Sequence, residues 1–288
     1  DGVLNKVNII DRLKKNITNI LNLPKLGRGK IIFFIYSRDV DAYGFWYDKI
    51  SKQLIDSCES NNRIVIELNT KSGKSKFSKF NLFLITLLTK LNTKKYNISD
   101  AEYDIIHTSF ESVTCKPLLK SVLNTHYSAF IKYRKAMEFI FHVLRPKRVI
   151  ISCDWQKGII SAAKRLNIQT IEMQHAGILF EYPSYSYPSS ITSKSNIIFA
   201  DKYVKFGTMW GNGMNIPCEQ LVLGNDFLCP KNDYNANQIN GNNILFVSTK
   251  IHRDILIPYC KLLASQDPKV NIIYKLHPTE FDFFEDTK

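Results

Sequence analysis

Apolar β-branched runs alternating with helical patterns along the 288-residue sequence predict an α/β protein with parallel sheets, built as two consecutive domains. Three observations carry this prediction. From Arg148 to Gly177 a β-rich run (Val149 to Ile151) stops at Ser152-Cys153-Asp154. A helical pattern with Ile159, Ile160, Ala163 and Leu166 follows, and a second β-rich run, Thr170 to Met173, ends in Gln174-His175-Ala176-Gly177. The chain opens with a similar unit between Lys30 and Leu68, and after a polar stretch the pattern starts again at Asn243. Parallel strands joined by right-handed crossovers send their carboxyl ends to one sheet edge, where ligands of open α/β sheets bind. Asp154 and His175 are expected as neighbours on that edge; the plainer reading makes Asp154 a helix cap and His175 a turn residue.

In chain order, residues 3–21 space Val3, Leu4, Val7, Ile10, Leu13, Ile17 and Leu21 as an amphipathic helix with Lys6, Arg12, Lys14 and Lys15 between them. Lys30 to Tyr36 is a buried strand, Ser37 to Gly44 the loop after it, and Trp46, Ile50 and Leu54 start a helix. Arg63 to Leu68 is the next strand. Residues 81–91 and 121–144 read as helices, the second ended by Pro146. His107, His126 and His142 in or beside these segments read as packed or solvated side chains. Residues 180–195, rich in Tyr, Pro and Ser, form an aperiodic loop of the kind that binds substrate beside an active edge. Short strands are expected at 196–200, 203–206 and 220–223, and a short helix from Thr208. The predicted boundaries are a first domain over 1–224, a linker over 225–242 and a second domain over 243–288, where strand, loop (Thr249 to Asp254), helix, strand and His277-Pro278 follow one another. One such unit cannot cover both faces of its sheet, so this domain is expected to be incomplete.

Composition narrows the function. The formal charge of +13 points to an anionic partner: nucleic acid, an anionic membrane surface or a phosphorylated substrate. The lysines are thinly spread and accompany no nucleic-acid recognition motif, so nucleic acid is not expected. A base-composition bias toward Asn, Lys and Ile would produce part of the charge without any partner. The longest apolar runs, Ile31 to Tyr36 and Leu82 to Leu88, are far shorter than the roughly 20 residues a spanning helix needs. The six cysteines include no CxxC pair, against a zinc site or a disulfide framework. With no signal-peptide pattern at its start, the chain is expected in the cytoplasm. The basic helix over 3–21 adds a peripheral site on the inner face of the cell membrane as a second expectation. A rival motif, Asn69-Thr70-Lys71-Ser72-Gly73-Lys74-Ser75, ends like a phosphate-binding loop of an NTPase or sulfotransferase. It has Leu68 where the first glycine must let the backbone curl round the phosphates.

The Gln174-His175-Ala176-Gly177 turn, the Tyr/Pro loop, the stretch Tyr203 to Trp210 and the later Lys275-Leu276-His277-Pro278 occur in an order and spacing that resemble bacterial GT-B glycosyltransferases of capsule and O-antigen biosynthesis. The histidine pair also resembles that of teichoic-acid glycerophosphotransferases, and His-Pro recurs in GT-B sialyltransferases; Ala176 between His175 and Gly177 departs from the pattern. The resemblance spans residues 148–280. It implies a GT-B fold of two Rossmann-like domains with a cleft between them, and transfer of a sugar from a nucleotide-sugar donor to a hydroxyl of a growing surface glycan, free or lipid-linked. It implies His175 as general base, with Asp154 or Asp39 orienting the imidazole or acting in its place. Donor contacts are expected from His277, Lys275, Thr249, Lys250, Arg253 and Glu280, and acceptor contacts from Asp41, Tyr43, Gln174, Tyr182 and Tyr185. No metal and no cofactor beyond the nucleotide-sugar substrate is expected, so Asp39-Val40-Asp41 reads as acceptor-facing or structural. Transfer of glycerol phosphate is the alternative chemistry; a phosphate-binding-loop enzyme and a basic nucleic-acid-binding scaffold are lesser alternatives.

Overall fold

The computed structural model describes residues 26–37, 39–40, 43, 46–68, 80–81, 83–153, 156–177, 184–188, 197–224, 242–248 and 253–276. The helix expected over 3–21, the phosphate-loop-like stretch over 69–75 and nearly all of the linker expected over 225–242 lie outside the described residues. The chain divides into two compact units, Asp1–Cys229 and Pro230–Lys288. Both are α/β, the class the alternation of patterns predicts.

In the first unit seven strands form one sheet: β1 (Ile31–Ile35), β4 (Arg63–Glu67), β5 (Phe80–Asn81), β6 (Arg148–Ile151), β7 (Gln169–Met173), β8 (Lys202–Lys205) and β9 (Glu219–Val222). Their spatial order is β5-β4-β1-β6-β7-β8-β9, and every neighbouring pair is parallel. The centre reads IIFFI, RIVIE and RVII because a parallel strand covered on both faces needs apolar side chains in both directions. Alternation sorts them. Ile32, Phe34, Ile64, Ile66, Val149 and Ile151 face one core. Phe33, Ile35, Val65 and Ile150 face the other, with Ile50 and Ile55. The first core is covered by α4 (Lys120–Leu144), through Met137, Ile140, Phe141 and Leu144, and by α5 (Lys157–Arg165), through Ile159, Ile160, Ala162 and Ala163. The helix α4 ends as its sequence dictates: Arg145 takes the left-handed conformation (φ 43°), donates its N–H to the Phe141 carbonyl at 2.7 Å, and is followed by Pro146.

Four local expectations differ. The residues after Ser37 form a two-residue antiparallel pair, β2 (Asp39–Val40) with β3 (Trp46–Tyr47), so the following helix α1 starts only at Lys52 and ends at Ser57. The buried Asp48 carboxylate receives the Ser51 hydroxyl and the Ile50 N–H, a local turn that competes with helix. The helix α2 starts at Phe83 and ends at Leu91, because β5 takes Phe80 and Asn81. Residues 197–200 are not a strand, although Phe199 and Ala200 are buried. The stretch after Thr208 is a run of turns: Gly211 (φ 69°) and Gly213 (φ 75°) occupy left-handed conformations that a right-handed helix excludes. A fifth element, α3 (Asp100–Thr114), has no counterpart in the expectation. Its signal is the Ser99-x-x-Glu102 capping box: the Ser99 hydroxyl accepts from the Glu102 N–H at 3.3 Å, and Glu102 accepts from the Ser99 N–H at 2.9 Å.

The second unit is one βαβ motif: β10 (Asn243–Val247) and β11 (Asn271–Lys275) pair in parallel, joined by α6 (Arg253–Gln266). Leu245, Val247 and Ile273, which share a sheet face by register, are all exposed. No helix among the described residues is long and apolar enough to cross a membrane.

The crossing of α4 and α5 depends on Gly158. A Cβ there would lie 2.4 Å from Tyr133 Cδ1, and that ring is tied by its hydroxyl to Gln156 at 2.7 Å, so it cannot swing away freely. Gly158→Ala is therefore expected to destabilise the unit by about 1–3 kcal/mol despite the better helix propensity of alanine, as a lower urea midpoint will show. An unchanged midpoint would mean that the helices separate at no cost.

Candidate functional site

The strand order reverses between β1 and β6: from β1 the chain moves outward through β4 to β5, and from β6 it moves the other way through β7 and β8 to β9. At such a reversal the connections leave in opposite directions and open a crevice at the carboxyl ends of the two strands. The buried polar residues gather along this same edge. Ser37 follows β1, Glu67 ends β4, Ser152 follows β6, Gln174 follows β7 and Lys205 ends β8. Burying a polar group costs free energy unless it is bonded, so a concentration at one edge marks where the fold accepts that cost.

Three built pieces shape the edge. At the reversal, Gln156, the residue preceding α5, accepts from the Tyr133 hydroxyl at 2.7 Å and donates to the Tyr36 hydroxyl at 3.1 Å, joining helix start, helix α4 and the end of β1. Burial foremost, with Tyr36 and Cys153 adding to it, pushes the Tyr133 phenol well above its ordinary pKa, so it stays protonated and donates.

One strand further, Gln174 is fully buried and clamps the turn that carries His175. Its N–H donates to the Val204 carbonyl at 2.8 Å, its Oε1 accepts from the Phe206 N–H at 2.9 Å, and its Nε2 donates to the Ala176 carbonyl at 2.8 Å. The acceptor contact expected of Gln174 gives way to this clamp, because every polar atom of its side chain is spent on backbone. The turn then meets the stretch after β8: a Cβ on Gly177 would lie 3.3 Å from the Trp210 ring, and one on Gly207 3.7 Å from it. Two of the sequence motifs, Gln-His-Ala-Gly and Gly-x-x-Trp, are thus one packed unit in space. His175 is half-buried on that unit.

The third piece lies beneath. Glu172 is fully buried and accepts a hydrogen bond from the Tyr185 hydroxyl. Tyr185, expected as an acceptor contact, is also fully buried, in an aromatic cluster with Tyr203 (5.0 Å between ring centroids) and Phe199 (5.8 Å). The Lys157 ammonium sits 4.7 Å from the centre of the Phe199 ring. Tyr185 therefore reaches no ligand at the surface; it pins its own segment to β7. Burial, and secondarily the Glu172 charge, raise the neighbouring Tyr187 phenol above its usual range.

Of the other expected acceptor and catalytic residues, Tyr43 is 86% exposed, and Asp39 lies in β2, its backbone paired with that of Tyr47. Asp154, Asp41 and Tyr182 lie outside the described residues. In the second unit, Arg253 opens α6 and Lys275 ends β11, so both stand at the carboxyl edge of the βαβ motif. The buried Ser248 there accepts from the Tyr274 hydroxyl at 2.7 Å. Arg253 pairs with Asp254 at 3.2 Å. Thr249, Lys250, His277 and Glu280 lie outside the described residues. Among the described residues no three His, Cys, Asp or Glu side chains converge as a metal ion would require. Ser37, Ser152, Gln156 and Glu172 were missed by sequence reasoning. For Glu172 and Gln174 the signal was present as the polar alternation Thr170, Glu172, Gln174, which reads as a solvent face.

No family model matches the sequence, and no curated protein sequence matches it. Among solved structures the chain is similar to the crystal structure of Acinetobacter baumannii MurG, with 14% identity, 89% of this chain and 69% of that chain covered, and a TM-score of 0.38.

Two measurements check this construction. Tyr185→Phe leaves the buried Glu172 carboxylate with one donor fewer and is expected to cost about 1–3 kcal/mol in urea unfolding; a variant as stable as the parent would show that the bond does not hold the segment. Because the folded state raises the Tyr133 pKa, its contribution is complete below the ordinary tyrosine range and is lost as pH rises through and above it. Alkaline stability should fall by about 1.4 kcal/mol per pH unit for this group above pH ~10, and Tyr133→Phe should make that slope shallower.

Proposed function

We propose that this chain is a GT-B glycosyltransferase that moves a sugar from a nucleotide-sugar donor to a hydroxyl of a growing bacterial surface glycan, without a metal. The observation that carries the reading is the clamped Gln174–Gly177 turn, which holds a half-buried imidazole at the carboxyl edge of a parallel sheet, beside the point where the strand order reverses. An imidazole titrates near neutral pH, so a positioned one can take a proton from a sugar hydroxyl as that oxygen attacks. In the proposed step the acceptor oxygen bonds to the anomeric carbon, the bond from that carbon to the nucleotide's terminal phosphate oxygen breaks, and the acceptor proton passes to His175. Asp154 or Asp39 orients the imidazole.

The leaving nucleotide gains negative charge. Arg253 and Lys275, with Lys250 and His277, supply positive groups to receive it, aided by the N-terminal N–H groups of the 14-residue helix α6. The acceptor is a lipid-linked glycan, brought within reach when this +13 chain rests on an anionic leaflet.

Thermal-shift screening against UDP-, GDP-, CMP- and CDP-linked sugars and against CDP-glycerol tests the donor class: a sugar nucleotide is expected to raise the midpoint, and a response to CDP-glycerol alone would replace sugar transfer by glycerophosphate transfer. With a donor in hand, His175→Ala is expected to lower turnover roughly 100- to 10,000-fold at near-normal donor affinity. Arg253→Ala is expected to weaken donor binding roughly 10- to 100-fold. Near-ultraviolet circular dichroism must show both variants folded. Ordinary turnover in folded His175→Ala would sink the assignment of the base.

A further inference from the structure

A lysine without a counter-ion stands at the candidate site. Lys205 ends β8, and only 9% of its surface is exposed. Lys202, three residues earlier on the same strand, pairs with Glu219 at 2.9 Å, whereas among the described residues nothing pairs with the Lys205 ammonium. Lysine is almost never buried to this degree unless it is paired, because an ammonium that loses its hydration gains nothing in return. Gln174 brackets the position, bonding to the Val204 carbonyl before it and the Phe206 N–H after it, so Lys205 lies beside the turn that carries His175. A second lysine repeats the pattern. Lys157 opens α5, where the positive end of the helix dipole disfavours a cation. Its ammonium is nonetheless buried without a hydrogen-bond partner, 4.7 Å from the centre of the Phe199 ring. Phe199 packs on Tyr203, which precedes Lys205 by two residues and so shares its face of the sheet.

The carboxylate that β7 turns to this face, Glu172, accepts from the Tyr185 hydroxyl. Two positive charges without a protein counter-ion, set beside a crevice, draw anions to it and favour a ligand that brings one. The lysine ammonium is a compact point charge and takes carboxylate and phosphate alike. We infer that Lys205, seconded by Lys157, binds an anionic group of the molecule whose hydroxyl His175 deprotonates: the acceptor carries a carboxylate or a phosphate on the sugar that is extended. Placing the anion on the acceptor rests on the proposed transfer reaction; the anion site itself rests on the two lysines. A neutral glycan end leaves both ammonium groups buried and unpaired, so the site selects against it.

Calorimetric titration of the full chain with glucuronic acid, glucose 6-phosphate and glucose tests the site without a donor or turnover. At least one acidic probe is expected to bind with a dissociation constant on the order of 1 mM, and the tighter of the two identifies the anion; glucose should bind roughly 10-fold or more weakly. Lys205→Met keeps an apolar stem and removes the charge. It should bring the acidic probe down to the affinity of glucose and leave the urea midpoint unchanged or higher. Lys157→Met should weaken acid binding in the same direction. No acid binding, equal affinity for glucose, or acid binding indifferent to both substitutions overturns the inference. So does a midpoint lowered by Lys205→Met, which would reveal a counter-ion within the protein. Once turnover is measured, an acidic acceptor should be preferred over its neutral counterpart, and Lys205→Met should abolish the preference by raising the KM for the acidic acceptor. Equal turnover on both acceptors with probe binding intact would overturn the assignment of the anion to the acceptor.

Discussion

One face of β7, continued by the residue after it, carries three polar side chains in alternation, Thr170, Glu172 and Gln174, all fully buried, and the candidate site depends on what they hold. A parallel strand must hand the chain back across the sheet before its neighbour can start, and a helix packed by apolar contacts usually serves. Between β7 and β8 no helix occurs among the described residues. The connection is fastened by hydrogen bonds. Thr170 is bonded by both N–H and hydroxyl to Asp201, just before β8, at 2.8 and 2.9 Å. Glu172 takes the Tyr185 hydroxyl, midway along the connection. Gln174 reaches Phe206, just after β8. A residue midway along the connection, one just before β8 and one just after it are thus each bonded to this polar face.

The other face of β7 shows why this arrangement is tolerated. Ile171 and Met173 pack with Val204, Phe33, Ile35 and Ile150, so the strand is held in the sheet by ordinary apolar burial while its polar face does the fastening. A buried polar group left unbonded costs about 1–3 kcal/mol, and the protein-internal bonds remove that penalty without adding much net stability. Their effect lies in geometry. The Gln174 bonds hold the His175 turn where Gly177 lies against Trp210.

Much of this was legible in the amino-acid sequence, and the limits have physical causes. The apolar runs of β1, β4 and β6, the end of α4 at Pro146 and the strand–helix–strand unit from Arg148 to Met173 follow from local periodicity, which needs no knowledge of neighbours. Strand order does not: that β6 lies against β1, so that Tyr36, Ser37, Ser152 and Gln156 share an edge, depends on pairings more than a hundred residues apart in the chain. The period-two pattern at Thr170, Glu172 and Gln174 was visible, but alternation cannot distinguish a polar face turned to water from one turned to a polar crossover. Gln174 and Tyr185, expected as acceptor contacts from the resemblance, are bonded within the protein, to backbone and to Glu172. Glycine-rich turns at 211 and 213 and the Asp48 turn before α1 defeated helix expectations because single residues there outweigh the average propensity of the window.

These constraints also decide how the edge can act. A general base is effective when its approach to the proton is set before substrate arrives, since orienting it afterwards consumes binding energy. The turn bearing His175 meets that condition from both sides: Gln174 fixes the backbone before it through Val204 and after it through Ala176, and Gly177 is held against Trp210. The motif Gln-His-Ala-Gly can then be understood residue by residue. Glutamine supplies an acceptor for the Phe206 N–H after β8 and a donor for the Ala176 carbonyl of its own turn, and glycine permits the indole to approach. Ala176, which interrupts the His-Gly pair, receives Gln174 Nε2 on its backbone carbonyl. Histidine is the titratable member of the turn, half-buried at the sheet's carboxyl edge.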